Sequence, residues 1–230
     1  MDFGKAFGYV FEDEGWVSKV LIGGLVFLIP IVGQLAVTGY SYKVAQNVAR
    51  GAARPLPEWS EFGDALARGF LGAVITLVYS LPAMIIAVVF ALGVVGTAAA
   101  SGDERAGGAV GLLMICLFPL IFVLALACGI VALTALARYL ATDNFGEAFK
   151  FGEVFASLRG SIGAWVMLLL VAILANFVAG LGLIACGFGV LFTSFYAQCV
   201  LGHGLGQTIR QLSLGQYAAP PSYGPPPSYS

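Results

Sequence analysis

The chain has 230 residues, of which 60% are hydrophobic and 10% charged, with a mean hydropathy of +0.94 and a formal net charge of −1. That composition holds too little polar surface to cover a water-soluble globule of this size, so it describes a membrane protein. The near-zero charge supplies no basic field, which excludes nucleic acid as a partner.

From the N-terminus, the first sixteen residues carry Asp2, Glu12, Asp13 and Glu14 where a signal peptide would have a basic start and an apolar core, so none is expected. Phe3, Phe7 and Val10 share one helical arc opposite Lys5 and Glu12, as in a segment lying among headgroups. Trp16 follows as an interfacial anchor. Residues 20–42 contain no Asp, Glu, Lys or Arg, but Pro30, Gly33 and Gly39 interrupt them. Residues 17–48 therefore either cross the bilayer once or bend at Pro30 to Gly33 and return.

The connection ARGAARPLPEWSEFGDALARGF is polar, stiffened by Pro55 and Pro57, and places Trp59 as a second anchor. Charge-free runs at 69–102 and 106–137 follow, each beyond the roughly 18 apolar residues of a transmembrane helix. The last charge-free run, 160–209, would as one helix at about 1.5 Å per residue be more than twice as long as a hydrocarbon core of about 30 Å. It must turn, and Gly180, Gly182 and Gly187 mark the place, giving spans near 163–181 and 188–209. The tail QYAAPPSYGPPPSYS has five prolines in fifteen residues, so it is expected to be an extended, disordered segment, inert or available to a protein partner.

A small pattern recurs beside these runs: FGKAF at 3–7, FGDAL at 62–66 and FGEAF at Phe145–Phe149. In the third copy, Phe145, Ala148, Phe149, Gly152 and Phe155 fall on one arc and Glu147, Lys150 and Glu153 on the other. Asn144 and Glu147 have capping-box spacing, which predicts a helix start. With the hairpin, ten basic residues lie on one side of the bilayer against Arg105 on the other, which makes the richer side cytoplasmic. The recurrence of the pattern on that side favours the bent hairpin over the single crossing. Phe3, Phe7, Phe145 and Phe149 join Trp16 and Trp59 as expected interfacial anchors.

Chemistry is sparse. His203 is the one ionisable side chain besides cysteine and tyrosine within the charge-free runs, and no HExxH, GxSxG or Walker-type motif occurs, so neither catalysis, metal nor cofactor is expected. His203, Gln207 and Arg210 share a helical face, with Gln198 farther back. Such a stripe either lines an aqueous path or meets headgroups where the last span emerges. Asn176, in mid-span, needs a hydrogen-bond partner, most simply in helix packing. Gly107 with Gly111 and Gly202 with Gly206 have the spacing that lets helices approach closely. Cys116, Cys128, Cys186 and Cys199 read as small buried hydrophobes.

The stretch FGYVFEDEGWVSKVLIGGLVFLIPIVGQLAVTGY, followed by ARG, LPEW and the GF that opens the next run, resembles the prokaryotic membrane proteins grouped as domain-of-unknown-function family 4013. The likeness covers residues 7–82, through Phe11, Glu12, Trp16, Pro30, Gly39, Tyr40, Pro57, Trp59 and Pro82 among others. It implies a multi-span helical protein of a bacterial or archaeal cell membrane and assigns no activity or catalytic residue.

The expectation is an all-α integral membrane protein of four transmembrane helices, an N-terminal hairpin bent at Pro30 and Gly33 (or a single span), and short amphipathic interfacial helices. Residues 1–214 form the membrane domain and 215–230 a disordered cytoplasmic tail. The expected function is non-enzymatic: organising or shaping the bilayer, or scaffolding a protein partner or a second copy through the tail. The alternative is a subunit of a small-solute channel or transporter.

Overall fold

The computed structural model describes residues 2–101, 104–184 and 188–212, without the side chains at 95 and 97–114. The tail and Gly187 lie outside the described residues, as do Cys186 and the side chain of Arg105. The described residues form eight α-helices and no strand: α1 (Phe3–Gly8), α2 (Trp16–Phe27), α3 (Val32–Ala49), α4 (Phe62–Ser101), α5 (Glu104–Thr142), α6 (Phe151–Arg159), α7 (Ile162–Leu181) and α8 (Gly189–Leu212).

The chain breaks between α2 and α3 at residues 28–31, where Pro30 cannot donate to a continuing helix and Ile31 takes a φ of 63°. Helix α3 then starts directly on the end of α2: a Cβ at Gly33 would collide with the Val26 carbonyl. The segment is thus two helices joined by a bend, not one straight helix.

Helix α3 is the centre of the molecule, packed between α4 and α8. On one side, Gly39 lies against the Ala65 carbonyl of α4. On the other, Gly202 and Gly206 of α8 rest on the backbone of Ser41 and Ala45, so this pair with GxxxG spacing serves packing within the chain.

Helices α4, α5 and α7 turn their apolar surface outward. Three segments, Trp59–Val94, Ile115–Thr142 and Ile162–Ile184, are long and apolar enough to cross a membrane, and only 17%, 6% and 22% of their most apolar stretches are buried. Leu81, Val89, Phe118, Val123, Ile173 and Phe177 are among the bare side chains. A surface of this kind is stable against lipid and not against water. Helix α8, the fourth expected span, is long enough but does not meet the same hydropathy. It carries Thr193, Gln198, His203 and Gln207, and α2, α3 and α7 cover much of it.

The recurring pentapeptide acquires a structural meaning. Its alanine is buried in all three copies, with Ala6 at 0%, Ala65 at 2% and Ala148 at 0% exposure, while the preceding glycine is exposed. Each copy therefore packs onto the bundle through its alanine. Tyrosines fasten two of them: the Tyr196 hydroxyl donates to the Phe7 carbonyl at 2.6 Å and the Tyr79 hydroxyl to the Ala148 carbonyl at 2.5 Å.

The third copy differs from the expected continuous helix. Phe145–Phe149 is a 3₁₀ turn, and the backbone breaks at Lys150 before α6 begins. Arg138 binds both Glu147 and Glu153, which a straight helix would hold about 120° apart around its axis. The break brings both carboxylates to one guanidinium. The capping box is replaced as well: the Asn144 side chain accepts from the Gly146 N–H at 3.0 Å, and Glu147 turns to Arg138 and Lys150.

Candidate functional site

Helices α2, α4 and α7 leave, and α3, α5 and α8 return to, one polar end where the described charged side chains gather. Lys43 pairs with Glu61 and Asp64, and Arg68 bridges Asp64 to Asp143. The hydrogen bond from Arg68 holds the Asp143 carboxyl below its usual range, against the opposing effect of partial burial. Gln46 of α3 donates to the Leu140 carbonyl of α5 at 3.0 Å, closing the same network.

Lys19 organises a second cluster, which the sequence reading did not single out. Its ammonium is buried and pairs with buried Asp13 at 3.0 Å and exposed Glu58 at 2.9 Å. The Lys19 carbonyl accepts from Trp59 Nε1 at 3.0 Å. Trp59 stacks on Tyr40 at 4.7 Å, and the Tyr40 hydroxyl donates to the Pro57 carbonyl at 2.7 Å. The motifs FEDEGW and LPEW, far apart in the chain, thus meet at one lysine. A lone cation five residues after FEDE was the available signal; its partners were not visible.

Beside this cluster lies a cavity of about 330 Å³, walled by α1, the loop after α3 and the last turns of α8. Its wall includes Lys5, Glu12, Asp13, Arg54, His203, Gln207 and Arg210. Gln207 ties the chain ends together: its Oε1 accepts from the Asp2 N–H at 2.8 Å and its Nε2 donates to the Asp2 carbonyl. The same Nε2 lies 3.2 Å from His203 Nδ1, which suits a neutral ring with its proton on Nε2. His203 is buried and stacks on Tyr9 at 4.4 Å. Among the described residues, Lys5 and Arg210 have no carboxylate partner, whereas Arg54 pairs with Glu14 at 2.7 Å.

The expected site residues are distributed as follows. His203 and Gln207 are brought together with Arg210; Gln198 is half-buried farther along α8, away from the cavity wall. Asn176 is exposed and donates to the Ala172 carbonyl of its own helix at 2.8 Å, so it does not join helices. Phe3 and Phe7 pack toward Val171 and Val200, and Phe145 and Phe149 toward Tyr139 and Tyr79. The bare aromatics of these segments are Phe11, Phe151 and Phe155. Trp16 is half-buried with its edge against Phe11. Pro30 and Gly33 form the bend already described. Of the cysteines, Cys199 is buried and Cys116 exposed. No cluster of three metal-ligating side chains occurs among the described residues.

Comparison with curated proteins finds no match, and neither does comparison with solved structures. A family model, described as a protein of unknown function (DUF4013), matches residues 22–188, which run from the second half of α2 through α3 and the loop after it to the end of α7 and just beyond. The chain is therefore a member of the DUF4013 family.

Proposed function

We propose that the chain is a non-enzymatic integral membrane protein that enlarges the leaflet on its charged side, and so shapes or organises the bilayer. The carrying observation is the length of the α2–α3 hairpin. At about 1.5 Å per residue, Val32 at its tip lies about 17 Å from Lys43 at the charged end, roughly half of a 30 Å hydrocarbon core. Gly69 to Val94 of α4 measures about 38 Å by the same rise and passes the whole core. The tip is apolar and bare, with Leu28 at 54%, Ile29 at 47% and Ile31 at 72% exposure. Helices α1, α2, α3 and α6 therefore add cross-section in one leaflet only. Positive charge assigns that leaflet to the cytoplasmic side.

Reconstitution into large liposomes tests this. Vesicle diameters measured by cryo-electron microscopy are expected to fall, or tubules to form, as the protein-to-lipid ratio rises. An unchanged size distribution overturns the proposal. A scaffolding role for the tail is tested by affinity purification with and without residues 216–230. For the channel alternative, Gln207, one of the side chains it would need on an aqueous path, is engaged by the Asp2 backbone.

A further inference from the structure

The bilayer-shaping role proposed above makes no use of the cavity beside His203. We propose that it binds a phosphate group, carried by a lipid headgroup or free in solution. Two cations from opposite ends of the chain, Lys5 and Arg210, converge on it without a carboxylate partner among the described residues. Elsewhere Lys19, Lys43, Arg68, Arg138 and Lys150 are each ion-paired. Two like charges on one wall repel until an anion joins them, and a phosphate oxygen can accept from both.

The other charges on the wall do not cancel this excess. Asp13 is neutralised by Lys19 and Arg54 by Glu14, which leaves Glu12 alone against two cations. His203 adds a polar ring to the same wall. Phe11, next to Glu12 and 55% exposed, packs edge-on against Trp16 and tilted against Tyr196, an aromatic edge suited to headgroup depth. Basic pockets at this level of a membrane protein accept lipid phosphates.

The test uses the full chain in maltoside detergent micelles, which carry no phosphate. In one arm phosphatidylglycerol is added and retained lipid is counted by native mass spectrometry; in the other, inorganic phosphate is titrated calorimetrically. One bound lipid per chain is expected, with Lys5→Gln/Arg210→Gln weakening binding about tenfold or more. Arg159→Gln removes a cation outside the cavity that has no carboxylate partner among the described residues, and is expected to leave binding unchanged. Binding of inorganic phosphate with the same dependence identifies a soluble ligand instead of a headgroup. Equal binding by wild type and the double variant overturns the proposal, as does an equal loss in Arg159→Gln, which would mean diffuse surface attraction. Lys5 and Arg210 are exposed, so folding is expected to survive; if circular dichroism shows lost helix in the double variant, Lys5→Gln alone carries the comparison. This assay reads binding and not vesicle shape, so either proposal can fail without the other.

Discussion

Lys19→Met separates structural ion pairing from ordinary surface charge. The ammonium and the Asp13 carboxylate expose only 8% and 9% of their side chains, so removing the cation leaves a carboxylate with little access to water. Breaking a buried pair from one side costs about 3–5 kcal/mol. Glu58, at 73% exposure, opens a route for water and sets the expectation near the lower figure, about 3 kcal/mol. For a chain of this length about 2–4 °C of melting temperature accompanies each kcal/mol, which gives a drop of about 6–12 °C in detergent. Asp13→Asn added to Lys19→Met removes the stranded charge and retains the contact that the Gly15 N–H makes with the Asp13 side chain at 2.9 Å. The double variant is expected to recover at least half of the loss, since the two sites are in direct contact and not additive. A drop below about 2 °C for Lys19→Met, or no recovery in the double variant, refutes the reasoning.

Gly206→Leu sets a side chain against the Ala45 carbonyl and Val48, and is expected to cost at least the 1–3 kcal/mol typical of overpacking, read as a lower melting temperature. Gly129→Ala in α5 meets nothing within 4 Å and is expected to stabilise by about 0.5–1 kcal/mol in the same assay. Gly8→Cys likewise meets nothing within 4 Å; with a cytoplasmic N-terminus, an impermeant maleimide labels it in inverted vesicles and not in intact cells, and the reverse would undo the hairpin orientation. The lowered Asp143 carboxyl contributes stability that is complete above its unfolded value of about 3.9 and lost as pH falls through the lower folded value. Melting temperature is therefore expected to fall in the pH range below about 4, and Asp143→Asn to flatten that part of the profile.

The break at Pro30, the turn after Leu181 and the long outward-facing helices were legible because each depends on local composition. Proline lacks an amide proton wherever it stands, and a charge-free run of membrane length partitions into lipid by summed transfer energies. The third pentapeptide was misread as one helix because Glu147 and Glu153 share a partner, Arg138, that no local pattern reveals. Asn176 was expected to hold helices together but satisfies itself on Ala172, the cheaper choice for a side chain that faces outward.

Composition and spacing determined that the chain is a helical membrane protein with its charge concentrated at one end. Tertiary structure decided which polar groups meet. It put α3 at the centre, in backbone contact with α4 and α8, joined FEDEGW to LPEW through Lys19, and brought Lys5 and Arg210 to the wall of one cavity. The division has one cause. Insertion energies add residue by residue along the sequence, whereas ion pairs and close helix contacts depend on distances between segments that only packing brings together.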